Sequence, residues 1–332
     1  MRLSPVVSEK CTKLGGGTLR SLSSERDELA SSPVDTARGE GIAALDPVPP
    51  MLLVLTGVTS IQFGAAIART MFDDLGPAGT SLLRLAIAAA VLLLVWRPRL
   101  GAHAAANVRL AALLGLVLGA MNLFFYEALD RVPLGAAVTI EFIGPLGVAM
   151  LLSRRRIDFA WVLLAVVGIL LLARPWSGTE ALDGTGLIFV FAAALCWALY
   201  IVLAQRAGRV FNGGEGLSIA MVVAMLVPLG PGVAQAGTDL LAPGLLLAGL
   251  GVALLSSVIP YSLETEALRR MPTRVFGVLM SLEPAVAAVA GYLVLGQGLR
   301  PTDVVAIALV VAASVGVTRT SPAMTPEAVL ET

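Results

Sequence analysis

The stretch Glu127-Ala128-Leu129-Asp130-Arg131-Val132-Pro133 returns 139 residues later as Glu266-Ala267-Leu268-Arg269-Arg270-Met271-Pro272. Five of the seven positions are identical, and the same offset carries Pro145 onto Pro284 without a gap. Working outward from both copies, apolar runs long enough for a bilayer core, roughly 20 residues each, alternate with polar breaks. Ten such runs are present, at 51–69, 78–96, 108–127, 133–152, 158–173, 185–205, 217–235, 243–263, 274–294 and 302–318. Each copy of the heptapeptide joins the third run of a half to the fourth. Five runs per half is an odd number, so the second half must enter a membrane from the opposite side. The expected fold is therefore an all-α membrane protein whose ten transmembrane helices form two inverted five-helix repeats, 50–178 and 179–320. Inverted repeats are the architecture of alternating-access carriers, in which substrate binds near the midplane between the halves.

Composition agrees. The 332 residues are 57% hydrophobic and 14% charged, and the mean hydropathy is +0.87. A soluble domain carries about 25% charged residues, so this chain has too few to cover a water-facing surface. A net charge of zero argues against nucleic acid, which demands a basic face. Cys11 and Cys196 lie far apart, so neither a disulfide nor a metal site is expected. The only histidine, His103, falls in an arginine-containing loop, which leaves proton chemistry inside the membrane to carboxylates.

Residues 1–49 are rich in Ser, Gly and mixed charge, hold both lysines (Lys10 and Lys13) and end in Pro47, Pro49 and Pro50. They read as a disordered cytosolic leader, with a translation start at Met51 as the alternative; 321–332 read as a cytosolic tail. Arginines orient the runs. With the N-terminus inside, the inner loops hold Arg97, Arg99, Arg109, Arg154, Arg155, Arg156, Arg206, Arg209, Arg269, Arg270, Arg274 and Arg319. The outer loops hold only Arg69, Arg131, Arg174 and Arg300. Twelve against four puts both termini in the cytosol and requires an even number of spans.

Charges within hydrocarbon cost several kcal/mol and need an account. Arg84 lies roughly 10 Å and Glu141 roughly 12 Å from the outer edge at 1.5 Å per residue. An Arg84–Glu141 ion pair is expected on that ground, with Arg84 either locking helices together or meeting substrate. Glu283 lies roughly 13 Å from the inner edge, so the two glutamates bracket the midplane. Pro145 and Pro284 follow them, and a proline leaves a carbonyl one turn back without its amide partner. A broken helix beside a carboxylate suits an ammonium or cation site; for Glu283 the alternative is packing against Ser281 or Ser257. Gln62, Asn122, Tyr126, Thr139, Tyr200, Ser256, Ser257 and Tyr261 are further candidates for lining a cavity, against the common alternative of bonds between helices. Trp197 reads as packing or a cavity wall. Glu127, Glu264 and Glu266 lie at span ends and read as solvated or capping. Gly64, Gly115, Gly119, Gly135, Gly147, Gly277 and Gly291 read as close helix contacts.

After residue 50 the chain resembles the EamA-type members of the drug/metabolite transporter superfamily, in particular the inner-membrane threonine/homoserine exporter subgroup. The residues that carry the resemblance are Ser60-Ile61-Gln62-Phe63-Gly64-Ala65, the run 121–145 (MNLFFYEALDRVPLGAAVTIEFIGP), Cys196-Trp197-Ala198-Leu199-Tyr200-Ile201, and the run 255–288 (LSSVIPYSLETEALRRMPTRVFGVLMSLEPAVAA). One departure is Leu295-Gly296-Gln297, where family members often carry an acid after the glycine.

The resemblance implies a proton-driven exporter of small amino acids of the threonine and homoserine kind in a bacterial inner membrane, with substrate, protons and lipid as partners. A homodimer is left open. A zwitterion needs an anion site beside a cation site, which Arg84 with Glu141 or Glu283 offers. Glu283, with no evident cationic neighbour in the spans, is the first choice for the proton-exchanging group, and Glu141 the second. No GxxxxGK[ST] loop occurs, so ATP is not expected to drive the cycle, and no cofactor, metal or catalytic residue set is expected. Efflux of a cationic drug or another metabolite is the alternative within transport. A membrane enzyme or structural bundle is the distant one.

Overall fold

In the computed structural model, the residues described are 47–98, 103–151, 156–173, 182–211, 214–271 and 273–320, all within the unit Ala44–Thr332. The expectations for residues 1–46 and 321–332, and for Arg99, Arg154, Arg155 and Arg174, lie outside them. Among the described residues every regular element is a helix. They are α1 (Pro50–Arg69), α2 (Phe72–Trp96), α3 (Ala105–Leu129), α4 (Leu134–Glu141), α5 (Ile143–Leu151), α6 (Arg156–Ala173) and α7 (Gly184–Val210). There follow α8 (Glu215–Leu226), α9 (Leu229–Ala236), α10 (Pro243–Ala253), α11 (Ile259–Arg270), α12 (Thr273–Met280), α13 (Glu283–Leu295) and α14 (Pro301–Thr320).

Six helical stretches are long and apolar enough to cross a membrane: α1, α2, α3, α7, Pro243–Glu264 and Val275–Leu295. Glu215–Leu226 with Leu229–Leu241 makes a seventh if the pair, bent by 52°, counts as one span. Leu134–Val148, Phe159–Leu172 and Pro301–Gly316 are apolar but shorter. Large side chains on the outside of the bundle are apolar: Phe159, Leu163, Ile188, Leu195, Leu247 and Leu293 each expose more than 60% of their surface. Lipid solvates such a belt and water does not.

Several expected single spans are not straight helices, and proline chemistry gives the reason. The run 133–152 is α4 and α5, broken at Phe142 three residues before Pro145; the run 274–294 is α12 and α13, broken at Ser281–Leu282 just before Pro284. The run 217–235 bends at Val227–Pro228. Between α10 and α11 the chain passes through one π-helical turn, Leu254–Val258, upstream of Pro260. In α2, Gly76 takes φ 67° ahead of Pro77, a conformation that glycine alone adopts at no steric cost. The helix restarts there with the Ala78 amide donating to the Gln235 side-chain oxygen at 2.9 Å.

Packing follows the small residues. A Cβ on Gly135 would meet Ala288 Cα at 2.8 Å, and one on Gly64 would overlap the Ser256 hydroxyl, so α4 lies flush on α13 and α1 on the π turn. Gly147 is a correction: a Cβ there would meet nothing within 4 Å, so it is not a close contact. The contact between the two broken spans is not continued past the breaks. α4 and α13 pack on each other, whereas α5 packs on α7 and α14, and α12 on α14 and α1, neighbours that α4 and α13 share with them.

Candidate functional site

Arg84 is positioned by the irregular backbone opposite it. Pro260 has no N–H to give to the carbonyl of Ser256 one turn back, and the π turn has already displaced the regular pattern: the Ile259 amide donates to Leu254 instead. The orphaned Ser256 carbonyl accepts from Arg84 Nη2 at 3.3 Å. The Leu255 carbonyl accepts from the Ser60 hydroxyl at 2.7 Å. Arg84 Nε donates to Ser257 Oγ at 3.3 Å, and Nη1 donates to the Tyr126 hydroxyl at 3.0 Å. The guanidinium carbon sits 5.4 Å from the Tyr126 ring centre. Arg84 is 5% exposed and Tyr126 is fully buried.

All these Arg84 partners are neutral, and the expected Arg84–Glu141 ion pair is not formed. Matching depth along two helices does not set the direction in which each side chain points; Arg84 turns to the π turn of the second half. A guanidinium has five N–H groups. Three are used here, which leaves one on Nη1 and one on Nη2, the two nitrogens that a carboxylate bridges.

Glu283 opens α13 immediately after the break and is 5% exposed; Gln62 on α1 is 4% exposed. The Gln62 amide donates to Glu283 Oε2 through a long hydrogen bond of 3.5 Å. The alternative partners proposed from sequence are taken elsewhere: Ser281 bonds to the Gly277 carbonyl and to Ser314, and Ser257 serves Arg84. Glu141 closes α4 and is buried. The indole of Trp197 meets the Phe142 ring edge-on at 5.2 Å, so Trp197 walls the break beside Glu141.

The remaining candidates divide. Tyr261 lies within Coulombic reach of Arg84, Glu264 and Glu283, and Tyr200 within reach of Tyr261 and Glu264. Glu283 feels Glu264 and Glu141. Arg84, Gln62, Tyr126, Tyr200, Tyr261, Glu141 and Glu283 therefore form one neighbourhood. Asn122 is buried but gives its amide to the Leu118 carbonyl of its own helix at 2.8 Å. Thr139 likewise bonds one turn back, to Gly135.

Two features escaped the sequence reading. The Ser256 carbonyl was signalled by Pro260, four residues on, within an apolar run. Glu264 was read as a solvated span-end acid, yet it is only partly exposed and belongs to the same neighbourhood as Tyr261 and Glu283. Glu127 and Glu266, read as solvated or capping, instead pair with Arg131 at 2.9 Å and with Arg270 at 2.5 Å, and Glu266 is buried. A separate pocket of about 190 Å³, lined by Gly135, Ala288, Gln297 and Asp303 among others, contains none of the candidate residues.

Comparison with known proteins places these features in a lineage. Residues 184–319 match the EamA-like transporter family. The threonine/homoserine exporter RhtA of Escherichia coli strain K12 is 43% identical over 273 residues, which span 82% of this chain and 92% of that protein. The same figures hold for the threonine/homoserine exporter RhtA of Salmonella typhimurium strain LT2. A solved crystal structure of a protein 17% identical in sequence superposes with a TM-score of 0.57 over 81% of this chain and 97% of its own; at that identity the likeness bears on the fold alone.

Proposed function

The chain belongs to the EamA-like transporter family, and from that premise we propose that it exports small amino acids of the threonine and homoserine kind by proton-coupled alternating access. The observation that carries this reading is Arg84: a buried guanidinium held entirely by neutral groups, with one N–H on each Nη unpaired among the described residues. A buried charge without a counter-charge is costly, and an α-carboxylate bridging Nη1 and Nη2 supplies one. Glu283, in the same neighbourhood through Tyr261, supplies the complementary anion for the ammonium group. A cationic drug would use the acids and leave Arg84 without a counter-charge, so the amino-acid reading is preferred.

The inverted-repeat reading has structural support in the heptapeptide copies. Glu127 pairs with Arg131 and Glu266 with Arg270, the same i, i+4 bridge at positions related by the 139-residue offset, each just before a broken helix pair. On this reading the six clear spans, the bent pair as a seventh and the three shorter apolar helices make ten crossings, with both termini cytosolic. The inner halves of the broken spans, α5 and α12, then part company on the cytosolic side while α4 and α13 stay packed on the other. That corresponds to a cleft facing the cytosol. Proton coupling is assigned to Glu283, with Glu141 as the second carboxylate.

The decisive test is a substrate panel on purified protein in liposomes with an imposed proton gradient. Threonine and homoserine should move uphill, and Arg84→Lys, which keeps the charge but loses the two-pronged geometry, should lose most of that transport. Transport of cations but not of amino acids, or full activity in Arg84→Lys, would reject the assignment. The topology is tested separately. Reporters fused after residues 106, 155 and 319 should read cytosolic, those after 75, 179 and 239 periplasmic, and swapped signals at two of these points would break it.

A further inference from the structure

Three acids stand at the ends of apolar runs near the heptapeptide copies, and one differs from the others. Glu127 and Glu266 are each bridged to an arginine one turn on. Glu264 has Leu268 at that position, and among the described residues no hydrogen bond or ion pair involves it.

Its placement on α11 is regular. Tyr261 and Glu264, three residues apart, share one face of α11, and Ser257 precedes them in the π turn. Ser257 bonds to Arg84 at the buried end of that stretch. Tyr261 lies next, in Coulombic reach of Arg84, Glu264 and Glu283. Glu264 ends the stretch, about 10 Å from Ser257 along the axis at 1.5 Å per residue.

Its neighbours lie on the facing helices. On α1, a Cβ placed on Gly57 would sit 3.7 Å from Glu264 Cγ and 3.8 Å from Oε1, and Gly57 precedes Gln62, the partner of Glu283, by five residues. On α7, Tyr200 is in Coulombic reach of both Tyr261 and Glu264 and partly exposed, as are Tyr261 and Glu264 themselves. Arg84, Gln62 and Glu283, by contrast, are buried. Polar groups thus run from a buried centre to a partly open end along α1, α7 and α11.

We propose that Glu264 is a capture station: a carboxylate in the cytosol-facing vestibule that draws the ammonium group of the amino-acid substrate inward before Arg84 and Glu283 bind it. This rests on the transport reading above for its substrate and its sidedness. In a cleft with low-dielectric walls a carboxylate concentrates cations; a net-neutral amino acid it holds at contact range, through a charge-assisted hydrogen bond from the ammonium group. It should therefore act on loading from the cytosolic face and leave the conformational step alone.

Two measurements test it, and only one requires transport. In protein carrying Cys11→Ser and Cys196→Ala, Tyr200→Cys serves as a reporter in inside-out membrane vesicles. A positively charged methanethiosulfonate should label it about tenfold faster, relative to their rates with a free thiol, than a negatively charged one of equal size. Glu264→Gln should remove that preference and Glu264→Asp should keep it. An unchanged preference in Glu264→Gln overturns the proposal.

In the second measurement, inside-out vesicles with native cysteines take up threonine. Glu264→Gln should raise KM about fivefold or more with kcat retained, the pattern of lost ground-state binding, with Glu264→Asp closer to wild type. In right-side-out vesicles KM should not change. An equal rise on both faces would make Glu264 part of the central site and also overturns the proposal. If wild-type vesicles move no amino acid while labelling remains charge-selective through Glu264, the transport reading has failed and the cation-collecting vestibule stands.

Discussion

The two segments that follow the heptapeptide copies share a scaffold and differ in their chemistry. In the first, Glu127 and Arg131 form a bridge with side chains 15% and 31% exposed, α4 follows, and the helix breaks at Phe142 ahead of Pro145. In the second, Glu266 and Arg270 form the same bridge at 6% and 20% exposure, α12 follows, and the break falls at Ser281–Leu282 ahead of Pro284. The bridge and the break coincide under the 139-residue offset. The carboxylates do not: Glu141 stands four residues before its proline at the end of α4, and Glu283 one residue before its own at the start of α13. Among the described residues only Glu283 of the two has a side-chain hydrogen-bond partner, Gln62. Bridge and break thus match between the two segments while the ionisable groups stand at different places.

The sharpest way to test that asymmetry is to neutralise each carboxylate in turn. On the transport reading, Glu283→Gln should cut gradient-driven accumulation on the order of 10²-fold, the scale of removing a positioned proton-transfer group, while substrate-for-substrate exchange survives. Glu141→Gln should leave uphill transport within about tenfold of wild type, because no partner of Glu141 is lost. Measuring both modes in liposomes decides it, and the reverse ranking would exchange the two roles.

The bridges invite the opposite comparison, in stability. Arg270→Ala takes the bridging arginine from the nearly buried Glu266 carboxylate and should destabilise the detergent-solubilised protein by about 3 kcal/mol. Arg131→Ala releases a more exposed partner and should cost less than about 1 kcal/mol. Equal losses in denaturation would show that burial does not separate the two copies.

The smallest effect concerns the loop after α13. The Gln297 side-chain oxygen accepts from the Leu134 amide at 3.0 Å, at the first residue of α4. The acid that the resemblance leads one to expect here would offer the same acceptor, so Gln297 keeps the helix cap. Gln297→Glu should be near neutral and Gln297→Ala should cost about 1 kcal/mol, read from the same unfolding measurement. A large loss in Gln297→Glu would mean that the amide donors matter as well.

Much of the framework was legible in the chain. Pro145, Pro228 and Pro284 mark helix breaks or bends because a missing amide has only local consequences, and Pro260 marks the π turn for the same reason. The apolar runs located the helices for the same kind of reason, since lipid demands internally satisfied backbone. The candidate neighbourhood was half legible. Arg84, Gln62, Tyr126, Tyr261 and Glu283 stood out as polar residues in apolar runs and do come together. Asn122 stood out equally and bonds within its own helix. Glu264 looked like a boundary residue because hydropathy alone does not distinguish a span end facing solvent from one facing a cleft.

What the sequence determined by itself is the helical class, the two heptapeptide copies, the prolines at the breaks and the short set of polar residues that such a bundle must accommodate. What only the tertiary structure decided is the pairing: Arg84 with the Ser256 carbonyl, Ser257 and Tyr126 rather than with Glu141, Gln62 with Glu283, and Glu264 beside Gly57. The physical reason lies in the solvent. Lipid tails are as apolar as a packed helix interface, so the hydrophobic pattern that would rotate a helix into register in water is weak here. Small residues and freed carbonyls set the rotation instead, and they act between distant segments, as Ser60 and Leu255 do across 195 residues.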